Sequence, residues 1–159
     1  PEWGRHTVVD LCANAQRCAD RGRYDDGVAR IYRAIEAIAQ LRLRDHHNID
    51  TTKTPLDRVP DPLHSKWKSR VRDGLLRLSL QDDYQLLESL GDELAQRFRD
   101  LSLSGEKSLL ETRNQSFLAH GFTPVSQEVF DGLYRKVSDL AQISDGDLPQ
   151  FPTLRQSVD

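Results

Sequence analysis

The strongest constraint on the fold is the helical spacing of apolar residues between Asp26 and Arg44. Apolar side chains recur there three and four residues apart, which places them on one face of an α-helix. This face consists of Val28, Ile31, Tyr32, Ile35, Ile38 and Ala39. A β-strand would not place these residues together, because its side chains alternate between two faces. The sequence therefore predicts one long amphipathic helix that must bury a complete face.

Four other segments show the same spacing. They run over residues 6–21, 83–100 and 126–143, and over a central segment from Glu106 to Gly121. Short connections favour antiparallel neighbours, and the first two helices should form a hairpin. No segment shows the apolar–polar alternation of a half-buried strand. The predicted fold class is all-α, an antiparallel helical bundle of about five to six helices.

Residues at the predicted helix ends fit the chemistry of helix caps. Gly22 suits the C-terminal cap of the first helix, and an acidic residue of the 23–26 connection is expected to cap the second. Asp82 is expected at the N-cap of the helix 83–100, and Ser126 at the N-cap of the last helix. The remaining carboxylates are spread at helical spacing, and we predict that they are surface charge.

Composition is typical of one globular domain. The 159 residues carry a net charge of −3, and 37% of them are hydrophobic. No apolar run approaches the length of a membrane span and no secretion signal is visible, so we expect a cytoplasmic protein with no membrane partner. Cys12 and Cys18 are too few for a disulfide framework. Both fall on the apolar face of the first helix, where we predict that they are buried as small hydrophobic residues.

The chain has no methionine and begins at Pro1. We therefore expect a fragment of a longer protein, whose missing part holds a regulatory domain. Residues 1–144 are predicted to form the helical domain. Residues 145–159, which contain Gly146 and two prolines, are predicted to be a C-terminal tail.

One cationic stretch alternates charge around an aromatic ring. Lys66, Trp67, Lys68 and Arg70 could form an RNA-binding site, with the cations on phosphates and the indole stacked on a base. Alternatively, the stretch begins a solvent-exposed helix that Trp67 anchors to the core. The acidic net charge argues against a protein that binds nucleic acid over its whole surface. The net charge is compatible with a local RNA-binding site.

Metal and cofactor motifs are weak or absent in the sequence. His46 and His47 are possible metal ligands, but adjacent residues on a helix diverge by about 100° and no third ligand is obvious. The sequence contains no glycine-rich phosphate loop, no Gly-x-Ser-x-Gly elbow and no His-Glu-x-x-His motif. We therefore expect neither a metal ion nor a cofactor.

The predicted central helix carries the residues with the most useful chemistry. Arg113 and His120 are seven residues apart, so they differ by only about 20° around a helix and share one face. An imidazole can transfer protons and a guanidinium can bind a phosphate, and Asn114 follows the arginine directly. The same residues also fit a structural role. His120 would then be stabilised by the helix dipole, and Arg113 would pair with a carboxylate.

Residues 113–122, Arg-Asn-Gln-Ser-Phe-Leu-Ala-His-Gly-Phe, resemble the signature of HEPN domains, in which a histidine follows an arginine and a polar residue. Three further segments make the resemblance more specific within HEPN domains. They are residues 22–26, residues 32–36 and residues 118–125. Over residues 8–143 the chain is similar to the C-terminal domain of CRISPR-associated CARF–HEPN proteins, which are accessory factors of type III systems.

This resemblance implies metal-independent cleavage of single-stranded RNA in antiviral defence. It implies a homodimer whose two Arg–His helices face each other, and control by cyclic oligoadenylate bound to a CARF domain that this chain lacks. By position in the motif, His120 would handle the proton transfers of 2′-hydroxyl attack, and Arg113 would steady the phosphate. Asn114 would orient one of them.

Two other functions are open on the sequence alone. The first is a non-catalytic helical module that dimerises or binds nucleotides, with Arg113 and His120 in structural roles. The second is a tetratricopeptide-like adaptor that uses the first hairpin as a peptide groove. No second copy follows at a period of about 34 residues, which argues against a repeat array.

Overall fold

The computed structural model describes residues 3–101 and 124–149, and within these ranges six α-helices form a bundle. The helices are α1 (Trp3–Ala19), α2 (Tyr24–His47), α3 (Asp61–Trp67), α4 (Leu80–Ser89), α5 (Glu93–Asp100) and α6 (Gln127–Ala141). One small antiparallel sheet is formed by β1 (Thr54–Pro55) and β2 (Leu75–Leu76). Short 3₁₀ turns lie at Leu56–Arg58, Lys68–Arg70 and Asp145–Asp147. The predicted all-α class is confirmed.

Helix α2 is the element against which α1, α4 and α6 pack. Ile31 and Ile35, in the middle of its predicted apolar face, are completely buried. Burying one such side chain contributes about 1.5–3 kcal/mol, so this face is a major source of stability. Tyr84 of α4 donates its hydroxyl to Ile35 O at 3.0 Å, which ties α4 to the middle of α2. The helix is longer at both ends than the predicted 26–44.

The predicted hairpin of the first two helices is confirmed, but the cap of α2 is not. Gly22 has a φ of +69°, and Arg23 N–H donates to Cys18 O, so α1 ends in the predicted glycine turn. Arg23 occupies the N-cap of α2 without a side-chain cap. The two acidic residues lie inside the first turn, where Asp26 accepts a hydrogen bond from Arg23 Nε at 2.6 Å and Asp25 contacts the chain before α6. The prediction of an acidic cap was wrong because both carboxylates have other partners.

The single helix predicted over 83–100 was also wrong, because the chain forms α4 and α5 with a break at Gly91. Gly91 has a φ of +71°, a conformation that glycine adopts without strain. Asp92 then caps α5 by accepting a hydrogen bond from Leu94 N–H. At the other end Ser79, not Asp82, is the N-cap of α4. Asp82 completes the capping box three residues later.

The strand pair was not predicted. Thr54 lies opposite Leu76 in this sheet, and Thr54 is buried with its hydroxyl bonded to Asp50 O at 2.8 Å. Each strand has only two residues, which is too short for an alternating pattern to appear. The sheet closes the long connection between α2 and α4 without changing the fold class.

The last helix begins as predicted, with Ser126 accepting a hydrogen bond from Val129 N–H. Phe130 on its inner face is completely buried against α2. Gly27 permits this contact, since a Cβ there would lie 2.5 Å from Phe130 Cε2. The helix ends at Ala141, two residues before the predicted end.

The remaining predictions have mixed outcomes. Cys12 is buried, while Cys18 is half-buried. The central helix from Glu106, with Arg113, Asn114 and His120, lies outside the described residues, as do tail residues 150–159. In the ranges that the structure describes, no helix combines the length and apolarity needed to cross a bilayer.

Candidate functional site

The chain that follows the Arg–His motif is fixed at the N-terminal end of α2. Val125 is buried, and its N–H donates to Asp25 Oδ2 at 3.3 Å. Two residues later, Gln127 Oε1 accepts a hydrogen bond from the Tyr24 hydroxyl at 3.2 Å. The ring of Tyr24 also packs on Phe130, with centroids 6.1 Å apart. The start of α6 therefore has a defined position against the start of α2.

Helix α5, which precedes the segment that carries the motif, is fixed at the opposite end of α6. Arg97 donates from one guanidinium nitrogen to Asp139 O at 2.8 Å and to Leu140 O at 3.0 Å. These carbonyls belong to the last turn of α6, where the helix dipole favours a cation. These contacts join α5 to the end of α6, and the start of α6 is joined to α2.

The cationic stretch predicted to bind RNA is divided between the interior and the surface. Trp67 at the end of α3 is completely buried, so its ring has no face open to a base. Base stacking by Trp67 does not fit this structure, whereas the alternative of an anchoring indole does. The anchored residue ends a helix, however, and does not begin one.

Arg70 also helps to hold the stretch against the bundle. Its guanidinium lies over the Trp67 ring, 5.8 Å from the centroid, and forms a bidentate pair with Asp82 at 2.8 and 2.7 Å. Lys66 Nζ donates to the neutral amide oxygen of Gln85 at 2.9 Å. Lys68 is exposed. RNA contact by Lys66, Lys68 and Arg70 stays a prediction.

The adjacent histidines near the end of α2 have different partners. His47 Nε2 lies 2.7 Å from Asp92 Oδ2, and His46 Nε2 lies 3.4 Å from Arg42 Nη1. Burial opposes ionisation of the Asp92 carboxyl, but hydrogen bonds from Arg42, His47 and Leu94 N–H outweigh it and lower its pKa to about 2. Among the residues with described positions, no three histidine, cysteine or acidic side chains are grouped as metal ligands.

A cleft of about 300 Å³ lies where α1, α2, α5 and α6 meet. Its floor is apolar, and the arginines that line it are Arg5, Arg42 and Arg97. All three guanidinium groups have structural partners: Arg5 binds Asp147, Arg42 binds Asp92, and Arg97 caps α6. The cleft therefore carries no free group for catalysis among its arginines.

Asp83 is the perturbed acid that the sequence analysis missed. Burial raises the pKa of its carboxyl to about 8, and the nearby carboxylates of Glu36 and Asp82 raise it further. Neither carboxyl oxygen has a hydrogen-bond partner. The prediction that the remaining carboxylates are surface charge was wrong for Asp83. A helical wheel of α4 could have shown that this residue is buried. Asp83 shares a face with Leu80 and Leu87, three and four residues away. Completely buried, it is not placed to meet a substrate.

A family model described as the Csm6 HEPN domain matches residues 3–144, which is most of the chain. No curated protein and no solved structure matches.

Proposed function

The chain belongs to the Csm6 HEPN domain family of CRISPR-associated proteins, and from this premise we propose that it is a metal-independent endoribonuclease acting on single-stranded RNA in the cytoplasm. The observation that carries the proposal is the family match over residues 3–144 together with a complete Arg-Asn-x5-His motif inside it. Enzymes of this type need an acid–base group and a phosphate-binding cation, and the motif supplies both.

The proposed reaction is transfer within the RNA backbone. The 2′-oxygen attacks the adjacent phosphorus while the 5′-oxygen of the next nucleotide leaves, so that a 2′,3′-cyclic phosphate and a 5′-hydroxyl form. His120 handles the proton that leaves the 2′-hydroxyl and the proton that the leaving oxygen gains. Arg113 binds the phosphate oxygens, whose negative charge grows in the transition state, and Asn114 orients one of these two side chains.

The described chain that follows the motif is anchored to the bundle. Val125, five residues after His120 in the sequence, is buried, and its N–H donates to Asp25 Oδ2. We also propose that the site is completed by a second copy of the chain. The parent protein would control it through an N-terminal domain that binds cyclic oligoadenylate.

The test compares variants of the motif with matched variants elsewhere. His120→Ala and Arg113→Ala should each lower RNA cleavage by about 10²–10⁴-fold, because no other motif residue replaces an imidazole or a guanidinium. His6→Ala and Arg30→Ala remove the same side-chain types at exposed positions and should cleave like the wild type. Thermal unfolding of all four should match the wild type. Cleavage should survive EDTA.

Two outcomes would reject the proposal. If His120→Ala retains its fold and cleaves like the wild type, the motif is not catalytic. If it unfolds, His120 has the structural role that a non-catalytic module would require. An RNA with one 2′-deoxy nucleotide gives an independent check, because removal of the attacking hydroxyl should block cleavage at that position alone.

A further inference from the structure

We propose that residues 66–77, the cationic loop, form a second contact with single-stranded RNA, in which Lys66, Lys68, Arg72 and Arg77 bind phosphates. The inference rests on the proposed function in one respect, that RNA is the substrate. The loop is separate in sequence from the Arg–His motif. It carries five cations and one carboxylate, Asp73, in a chain whose net charge is −3.

The backbone presents these cations on ordered structure. Arg72 and Leu75 exchange two hydrogen bonds of 2.9 Å, N–H to carbonyl in both directions. Between them Asp73 and Gly74 have φ values of +50° and +78°, the conformation of a tight two-residue hairpin turn. Arg72 is therefore held at the last paired position of the hairpin. The 3₁₀ turn Lys68–Arg70 ends two residues before Arg72, and Lys68 is four residues from Arg72 in the sequence.

Most of the loop's charge is not neutralised. Several arginines elsewhere on the surface pair with carboxylates, as Arg23 does with Asp26 and Arg44 with Asp45. In the cationic loop Lys66 binds a neutral amide, and the guanidinium of Arg72 binds backbone carbonyls.

For Lys68 and Arg77, both exposed, the described residues supply no ion-pair partner. Grouped like charges without counter-charges repel each other and produce a positive potential. A polyanion relieves that repulsion and releases the counterions condensed on its own phosphates.

Arg70 differs from the other cations because it fixes the loop to the bundle. Its bidentate pair with Asp82 joins the loop to the first turn of α4, and its contact with buried Trp67 joins the loop to the core. We therefore assign Arg70 as a positioning residue and not as a phosphate ligand. No aromatic ring of the loop is exposed, so the contact reads the RNA backbone and is independent of sequence.

The experiment measures binding separately from cleavage. A fluorescently labelled single-stranded 2′-O-methyl RNA cannot undergo 2′-hydroxyl attack, and its anisotropy reports the Kd of the whole chain. A triple variant neutralises the loop: Lys68→Gln, Arg72→Gln and Arg77→Gln. We expect its Kd to rise about 50–100-fold at 0.1–0.15 M salt, and the slope of log K against log salt to fall by about 2. With cleavable RNA, KM should rise while kcat stays unchanged.

The matched control removes the same net charge at positions outside the loop: Arg21→Gln, Arg30→Gln and Arg135→Gln. All three residues are exposed, so this control should retain wild-type affinity within about threefold. Equal losses in the two triple variants would overturn the proposal, because binding would then depend on net charge and not on the loop. Unchanged affinity in the loop variant would overturn it directly.

Binding of polyglutamate in place of RNA would instead identify the loop as a surface for acidic proteins, and would also overturn the proposal. The outcome is independent of the catalytic assignment. If the loop variant loses RNA affinity while His120→Ala cleaves normally, the RNA contact stands and the proposed catalytic motif fails.

Discussion

Replacement of Asp83 by asparagine should reveal an electrostatic cost that the fold bears at neutral pH. The carboxyl of Asp83 is completely buried between α4 and α2, and neither of its oxygens accepts a hydrogen bond. Glu36 on α2 and Asp82 on α4 are the nearby acids that oppose its ionisation, after burial itself. Asparagine keeps the size of the side chain and removes its titration.

The magnitude follows from the pKa of the carboxyl, which burial and these neighbours raise from 3.8 to about 8. Between these values the folded protein holds a proton at Asp83 that the unfolded chain has released. Stability therefore falls as pH rises through this window and becomes constant above about pH 8. At about 1.36 kcal/mol per pH unit, the wild type should lose about 4 kcal/mol between pH 4 and 7 through this group alone. Domains of this size have total stabilities of only about 5–15 kcal/mol.

The assay is urea unfolding followed by circular dichroism at 222 nm, from pH 4 to 8.5. The free energy of unfolding of Asp83→Asn minus that of the wild type should increase by about 4 kcal/mol between pH 4 and 7. Carboxyl groups that do not interact with Asp83 cancel in this difference. Asp131→Asn, at an exposed position on α6, should show a constant difference. A difference for Asp83→Asn that varies by less than about 1 kcal/mol over the same range would refute the reasoning.

Two further predictions concern the Asp92 cluster and the oligomeric state. Asp92 has a folded pKa of about 2, so its contribution is present above the unfolded value of 3.8 and is lost as pH falls towards 2. Asp92→Asn should therefore cost about 2 kcal/mol in urea unfolding at pH 6 and about half of that at pH 3; an equal cost at both pH values would contradict this. Light scattering of the folded protein at about 50 μM should give the mass of two 18.2 kDa chains, because the proposed active site spans two copies. A strict monomer would count against that dimer.

Helices were predictable from the sequence where one apolar face is continuous and its ends carry ordinary caps. The middle of α2 meets the first condition, and the start of α6 meets both, which is why Ser126 was identified as a cap. The break between α4 and α5 was not predictable by periodicity. Leu87, Leu90 and Leu94 keep helical spacing across Gly91, so the apolar pattern hides a turn in which the chain changes direction. Gly91 and Asp92 together were the available signal, a turn residue followed by a capping residue.

Sequence analysis likewise identified some residues of functional interest and missed another. Arg113 and His120 were identified from residue type and spacing, and the family match supports the class of protein to which they belong. Their contacts lie outside the described residues, so the catalytic geometry stays a prediction. Asp83 could not be recognised as buried from its charge, because aspartate is seldom completely buried without a partner. Only its position on the apolar face of α4 gave a local signal.

The stretch from Lys66 to Arg72 shows why a linear pattern of charge is a poor guide to a binding surface. In the sequence, the cations alternate around an aromatic residue, and this pattern is typical of an RNA-binding motif. In three dimensions the buried indole of Trp67 removes the aromatic contact, and the ion pair with Asp82 commits Arg70 to the bundle. The cations left for a ligand are those that the 3₁₀ turn and the hairpin hold outside, Lys68 and Arg72 among them. Removal of the anchor would therefore disorganise the contact, whereas removal of the outer cations would weaken the contact and leave the fold intact.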